Sequence, residues 1–594
     1  MAKVGIKLTD KKNKIGLFAS LSIMIGSMIG VGIFVKNKGV FEQTAFNPNL
    51  VIAAWVLSSI ITFLIALSYI EITTTGKSKF GFAGYCETVL GKKAGRFLKI
   101  SQSHFYNGII GVVLFIYAGE LLLKSIDSNN SIGLLTDFNQ TTPRASIAMS
   151  IGIGFVFFVL FFFMNWLSLT LSKGFQSLSV FIKFVPIIII TIIGIIAGAN
   201  SYQGSLFNSY NSTITTNVKQ PASIGNSITI ILGILPSVLF SFDSFLSFTS
   251  VQDKMIKPKK YANILLSIGV ITVAVAYLLI TFAMIFLGNG DATKSISSNL
   301  LTKVFNVEQN QAENIANIFT IIFNIFLLVS VLGVANGFMI VAISNHQGLI
   351  ESDLIFGSKM LKRWFNKKFA NLSEQDKFYT QKSELPGMIS YLFVFCLFGL
   401  IIMTISIALG NDRVADGVTN FPTLFFFILY ALVPFVVFIR RVKVFIKDKD
   451  KRLTRAEQQE LKQLKATNNL NEAQQARLKV LTDKNEAYLN LLRFSKEHQI
   501  SKFFSFITPI ASISFFIIFA YQGIYAFLID PIIESVNNSS KTFDAWGAFI
   551  NSTDTIGGVG LPYYMLPIIY FGLLIIFFFI PWINSYLQKK YPNI

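Results

Sequence analysis

Apolar residues gather along this chain in long uninterrupted runs, not in the short alternating or four-residue-spaced stripes of a water-soluble fold. A helix needs about 20 apolar residues to cross the hydrocarbon core of a bilayer. Runs of that order fall at 16–35, 50–73, 100–123, 146–164, 174–198, 225–249, 262–287, 315–344, 386–408, 419–439, 502–528 and 562–585. They predict an all-α integral membrane protein with 12 transmembrane helices. The polar segments between them alternate in charge. Lysines and arginines cluster before the first run (Lys3, Lys7, Lys11, Lys12, Lys14), after the second (Lys77, Lys79, Lys92, Lys93, Arg96, Lys99), the sixth (Lys254, Lys257, Lys259, Lys260) and the eighth (Lys362, Arg363, Lys367, Lys368), and at the end (Lys589, Lys590). Segments of the other parity, 199–224, 288–312 and 529–561, carry few. The positive-inside rule then predicts both termini on the cytoplasmic side of a plasma membrane.

Composition agrees. Of 594 residues, 53% are hydrophobic and only 14% charged, with a mean hydropathy of +0.58. A soluble domain carries roughly 25% charge. The formal net charge of +20 alternates between loops, so it reports orientation and no nucleic-acid partner is expected. The excess of Phe, Ile, Lys and Asn suggests an AT-rich bacterial source. Cys86, in an expected cytoplasmic loop, and Cys396, inside a helix, support neither a disulfide nor a zinc site. The Lys-rich start leads into a run too long for a cleavable signal, so the first helix is expected to stay as an anchor.

One polar insertion, 444–501, separates the tenth and eleventh runs. It holds a 17-residue near-repeat, Leu453 to Leu464 against Leu470 to Leu481. Thr454 with Glu457, and Asn471 with Gln474, have capping-box spacing. Leu461, Leu464, Leu478 and Leu481 form a narrow apolar seam. A basic helical hairpin is expected, either a solvated insert closed on itself or a module that docks a cytoplasmic partner or rests on anionic headgroups. The expected organisation is a transporter core over 1–443, the hairpin over 444–501, and two further helices within 502–594.

The residues that carry chemistry are those that do not suit a membrane helix. In the first run, Gly26, Gly30 and Gly32 lie within seven residues, each weakening a helix by about 1 kcal/mol relative to Ala. Gly26 with Gly30 fits close helix packing. Gly30 and Gly32 lie on nearly opposite faces and fit a break with freed backbone amides. In the sixth run Pro236 is followed by Phe240-Ser241-Phe242-Asp243-Ser244-Phe245. An ionised Asp at mid-bilayer costs on the order of 3 kcal/mol and needs a cation, a proton or water. It could instead cap a second half-helix. Two broken helices, one and six, are the pattern of inverted-repeat transporters, whose half-helix ends attract a carboxylate and an ammonium.

These residues resemble the amino acid–polyamine–organocation (APC) superfamily of amino acid permeases, whose fold is LeuT-like. Gly30-Val31-Gly32-Ile33-Phe34 matches its first-helix signature except at Val31, where the family has Ser. Phe240 to Phe245, with Asp253 to Pro258, is similar to its sixth helix and exit. Gly81 to Phe97 resembles the stretch after the second helix, Asn165 to Lys183 the entry to the fifth, and Gly333 to Gly337 with Gln347 to Leu349 the eighth. The likeness covers about 20–440.

The resemblance implies a 5+5 inverted repeat, about 16–198 and 225–439, followed by two C-terminal helices. It implies that Ser27, Met28, Gly30, Val31 and Gly32 present backbone groups to a substrate's carboxylate and amine. Phe240 would close over the site, and Ser241 and Asp243 would offer carbonyls to the amino group. Lys183 falls where some proton-coupled members keep a lysine in place of a sodium ion. By its own position Lys183 lies roughly 14 Å into the fifth run, too deep for a comfortable ammonium, so it either exchanges a proton there or snorkels to the cytoplasmic face. Asp243 stands where the family has a neutral residue. It favours a cationic amino acid or polyamine, or else binds a proton itself.

The expected function is secondary active amino acid transport by alternating access, driven by protons, with amino acid or polyamine exchange as the close variant. A transporter-like receptor signalling through the hairpin is the alternative. An enzyme finds no support: the chain has three His and no carboxylate pair, nucleophile elbow or phosphate loop. No cofactor or metal is expected; the proton is the coupling ion.

Overall fold

The computed structural model describes residues 16–30, 32–75, 80–126, 143–200, 205, 224–288, 298–370, 382–409, 413–467, 469–537, 542–543, 561–562 and 564–593. These residues form a bundle of α-helices with one two-residue antiparallel ladder, Thr542–Phe543 against Leu561–Pro562. In chain order the main helices, short ones aside, are α1 (Leu17–Met28), α2 (Pro48–Ile72), α3 (Lys92–Ile126, with a π-helical turn at Gln102–Tyr106), α4 (Pro143–Leu167) and α5 (Leu169–Ala199). Then come α6 (Ile224–Phe242), α7 (Pro258–Leu287), α8 (Gln309–Glu351), α9 (Ser358–Lys368), α10 (Leu385–Leu409) and α11 (Arg413–Lys447). The last four are α12 (Arg455–Ala466), α13 (Glu472–Leu492), α14 (Phe503–Asn537) and α15 (Met565–Lys590).

Ten of these, among the described residues, are long and apolar enough to cross a membrane. Their outward faces say what surrounds them. Only 22% of the most apolar stretch of α4 is buried, and Phe155, Val156, Leu160 and Phe163 are exposed along it. Phe181, Ile188, Ile192 and Ile195 do the same on α5. Exposed apolar side chains in this number would be strongly unfavourable in water and are at home in lipid. The chain is a multi-pass membrane protein.

Inside the bundle, small residues let helices meet backbone to backbone. A Cβ on Gly119 of α3 would lie 2.0 Å from the Ser150 carbonyl of α4. Polar side chains bond across helices: the Asn165 amide donates to Asn336 Oδ1 at 2.9 Å, and Ser172 Oγ donates to Asn165 Oδ1 at 2.7 Å.

Several boundaries differ from the hydropathy runs. The run at 16–35 stops being helical after Met28, and that at 225–249 stops after Phe242. Pro236 lies inside α6 without ending it. The run at 315–344 belongs to a 43-residue helix, roughly 65 Å long and so longer than a bilayer's apolar core. Cys86, expected in a loop, is buried in the short helix Phe82–Leu90.

In the 444–501 insertion, α12 and α13 each begin with a formed capping box, Thr454 with Glu457 and Asn471 with Gln474. They close on Leu453, Leu461 and Leu481, with Leu464 and Leu478 packed alongside. Arg477 makes two 2.9 Å bonds to Glu460, and Lys484 bonds Glu457 at 2.9 Å. The segment after α13 is fixed to the bundle. His498 Nε2 donates to Glu71 Oε1 at 3.0 Å while its Nδ1 accepts from the Phe494 N–H at 3.3 Å. Arg441 pairs with the same Glu71 oxygen, and all three side chains are buried or nearly so. Arg440 stacks over Phe494 and donates to the carbonyls of Leu491 and Arg493.

Candidate functional site

The site grows from two interrupted helices. α1 ends where Ile29 turns to an extended conformation (ψ 102°), and helical winding resumes at Gly32–Lys36 as a single π-turn. An α-helix end leaves four carbonyls without intrahelical partners. Here Lys183 Nζ donates to the Gly26 carbonyl, and the one proton of the Tyr277 hydroxyl is shared between the Met28 and Ser241 carbonyls, each 2.7 Å away. Ser27 Oγ bonds back to Met24 O at 2.9 Å and meets Ser247 Oγ at 2.8 Å, tying α1 to the segment beyond α6.

α6 breaks at Asp243. Ser244 adopts φ +68°, a left-handed conformation costly for a residue with a Cβ, and the chain continues as a short 3₁₀ helix, Ser247–Lys254. The Asp243 carboxylate holds this turn. Its Oδ1 accepts from the Ser244 N–H at 2.8 Å; its Oδ2 accepts from the Tyr106 hydroxyl at 2.7 Å and the Thr423 hydroxyl at 3.2 Å. The half-helix beyond the break has Leu246, not Asp243, at its N-cap. Asp243 therefore does not cap it; the break is a four-residue turn, 243–246, and the cap position is its last residue.

The two breaks touch, and glycine is what lets them. A Cβ on Gly32 would lie 2.7 Å from the Ser241 Cα, and one on Gly30 would lie 2.4 Å from a Val334 methyl. Between them lies a cavity of about 30 Å³ lined by Ser27, Met28, Gly30 and Gly32 from the first break, Phe240, Asp243 and Ser244 from the second, and Tyr106, Ile110, Leu114, Val334 and Phe338 from α3 and α8. Its polar groups sit at the breaks and its apolar wall is built by α3 and α8. That volume holds roughly one or two waters, too little for an amino acid in this conformation.

Six of the sequence-derived residues thus meet at one cavity: Ser27, Met28, Gly30, Gly32, Phe240 and Asp243. Val31 lies outside the described residues. Ser241 is not among the residues lining the cavity; its carbonyl lies 2.7 Å from the Tyr277 hydroxyl. Lys183 is not at the cavity either. It is fully buried behind α1, bound to the Gly26 carbonyl, and does not snorkel to the surface.

Sequence reasoning missed Lys36. It falls one residue past the run at 16–35 and reads as an interfacial lysine, yet it is 3% exposed. Its ammonium lies 4.8 Å from the Phe240 ring centroid and donates to Thr419 Oγ1 at 3.2 Å and Asn420 Oδ1 at 3.0 Å. The signal was available: the break at Gly30 shifts the register, and the apolar Val40-Phe41 beyond Lys36 shows the element continuing. Tyr106, Thr423 and Tyr277 were also missed, and no local pattern marks them.

A family model described as amino acid permease matches residues 15–464. The serine/threonine exchanger SteT of Bacillus subtilis is 24% identical over 48% of this chain and 58% of its own. The human cystine/glutamate transporter is 23% identical over 56% of this chain and 60% of its own. The chain thus spans about three fifths of the length of these relatives. The crystal structure of MhsT in complex with L-phenylalanine aligns over 84% of this chain and 98% of its own with 12% identity and a TM-score of 0.44. With most of its length matched by one family model, and its two helix breaks meeting at one cavity, this chain belongs to the amino acid permease family.

Proposed function

We propose that the protein is a secondary active transporter of amino acids that works by alternating access around the cavity between α1 and α6. The observation that carries this reading is the meeting of the two breaks, Gly30–Gly32 and Asp243–Ser244, at one cavity. On this reading the amide end of the turn that restarts at Gly32 receives a substrate carboxylate. Asp243 and the carbonyl end of α6 receive the ammonium. The wall of Ile110, Leu114, Val334 and Phe338 takes the side chain. The names of SteT and the cystine/glutamate transporter both describe proteins that handle amino acids, one of them by exchange.

The full reading is a twelve-helix protein of a bacterial cell membrane, with both termini cytoplasmic. Broken helices one and six complete the ten spans within two inverted repeats, about 16–198 and 225–439, and two helices follow. Uptake is driven by protons. Lys183, held against the Gly26 carbonyl at the end of α1, couples its charge to the conformation of that break. Asp243, the one carboxylate lining the cavity among the described residues, favours a substrate with added positive charge. Exchange of one amino acid or amine for another is the variant.

The test is uptake of the twenty amino acids and common polyamines into proteoliposomes, with and without an inward proton gradient or internal substrate. Gradient-stimulated uptake is the expected result. Uptake only into preloaded vesicles makes the protein an exchanger, and no flux of any amino acid overturns the proposal.

A further inference from the structure

At one end of the bundle, α9, the start of α3 and the last turns of α15 form a corner. α9 is 11 residues long, Ser-Lys-Met-Leu-Lys-Arg-Trp-Phe-Asn-Lys-Lys, too short to span and strongly two-faced. It leaves α8 through a turn with Gly357 at φ +84°. α15 locks onto that turn: Asn584 receives the Phe356 N–H at 2.7 Å and donates to the Leu354 carbonyl at 2.8 Å. Arg96 of α3 reaches Gln588 at 2.7 Å, and Lys359 and Arg363 donate to the carbonyls of Pro592 and Asn593. These bonds fix the relative positions of the three segments.

The corner gathers cations. Lys92, Lys93, Arg96, Lys367, Lys368, Lys589 and Lys590 have no carboxylate within ion-pair distance among the described residues. The nearest acids in sequence are engaged: Glu87 with Lys99, Asp353 with Lys362, and Glu351 with Gln347. Beside these cations lie exposed amphipathic and apolar side chains: Met360, Trp364, Trp582, Tyr586 and Tyr591. Lys368 lies 5.3 Å from the Trp364 ring and Lys590 5.3 Å from the Tyr591 ring. Aromatic rings beside unpaired lysines at the end of a membrane helix match the headgroup layer, where rings sit among carbonyl esters and ammonium groups face phosphate.

We propose that this corner is a binding site for an anionic phospholipid, with the headgroup phosphate held by Lys367, Lys368, Lys589 and Lys590 and the upper acyl region lying against Trp364 and Trp582. Charge complementarity selects an anionic lipid over a zwitterionic one, whose own cation would meet the lysines. Each lysine near such a surface strengthens binding about fivefold.

The test compares the full-length protein with a Lys367→Gln, Lys368→Gln, Lys589→Gln, Lys590→Gln variant. A control variant removes equal charge from the hairpin: Arg455→Gln, Lys462→Gln, Lys465→Gln, Lys479→Gln. Phosphatidylglycerol and phosphatidylcholine retained through purification are counted by native mass spectrometry, and Tm is read in vesicles of each lipid and with soluble glycerol 3-phosphate. Wild type and control should keep phosphatidylglycerol and gain Tm from it, and the corner variant should lose both while matching wild type in phosphatidylcholine. If the corner variant is unstable in phosphatidylcholine, Lys589→Gln with Lys590→Gln replaces it, with the same expectation at smaller size. Equal retention by the corner variant, equal loss by the control, or an equal Tm gain from glycerol 3-phosphate would overturn the assignment.

Discussion

The ammonium of Lys36 lies 4.8 Å from the centre of the Phe240 ring, and Phe240 lines the cavity. Lys36 also bonds Thr419 and Asn420 at the start of α11. One cation therefore ties the restarted first helix, the end of α6 and α11 across the site. A desolvated cation–π contact is worth about 2 kcal/mol, roughly 30-fold in an equilibrium. Lys36→Met keeps the stem and removes the charge, so the cavity should open more often. With Ser27→Cys in a background of Cys86→Ser and Cys396→Ser, thiol alkylation at position 27 should quicken by up to that factor. An unchanged rate would mean that Lys36 only supports packing.

Asp243 and Lys183 make separable predictions. Asp243→Asn keeps the shape but replaces one acceptor oxygen with an NH₂ among the hydroxyls of Tyr106 and Thr423. If Asp243 reads substrate charge, the variant should lose transport of cationic amino acids selectively. If it carries the proton, uptake should persist and lose its response to the gradient. Lys183→Ala leaves the buried Gly26 carbonyl without its donor, which costs about 1–3 kcal/mol. It should lower Tm and abolish gradient dependence; loss of Tm alone would leave Lys183 a structural cap on α1.

Much of this was legible in the sequence because the membrane makes it so. Lipid excludes polar backbone, so run length and loop charge mark the helices. Gly30, Gly32 and Asp243 stand out because they are costly in a continuous helix. What the sequence hides is long-range. Tyr106 and Thr423 are ordinary residues in apolar runs and become ligands of Asp243 only when α3 and α11 pack against α6. Tyr277 of α7 is hidden in the same way: only the fold sets its hydroxyl between the carbonyls of Met28 and Ser241. Glu71 reads as the polar end of a span; only the fold brings Arg441 and His498 to it.

The hairpin gives a pH dependence with a definite sign. The Glu457 carboxyl is held down to about 2 from its ordinary 4.5 because Lys484 bonds it and the Thr454 N–H donates to it. A carboxyl whose folded value lies below its unfolded one contributes stability that is present above pH 4.5 and lost as pH falls toward about 2. Amide exchange across α12, corrected for intrinsic rate, should therefore quicken as pH falls through that window. Glu457→Gln should flatten the response. A response that survives in the variant would place its origin elsewhere in the hairpin.

The Glu71 cluster ties that hairpin to the bundle. Glu71 sits at the end of α2, Arg441 on α11 and His498 in the segment returning from α13. α2 also packs against α6, and α11 carries Thr423, which touches Asp243. A movement of either helix must be taken up at Glu71 or passed to residues 493–499. Removing one partner of a buried ion pair costs about 3–5 kcal/mol because the other charge is left uncompensated. Glu71→Gln should therefore release the 493–499 segment, seen as faster amide exchange there with α12 and α13 unchanged, since their caps and leucine seam are internal to the hairpin. His498→Ala should release the same segment more mildly, because it leaves Arg441 paired. If exchange rose equally through α12 and α13, the hairpin would be folded by its docking and not by its own caps; if nothing changed, Arg440 with its bonds to the carbonyls of Leu491 and Arg493 would be the anchor instead.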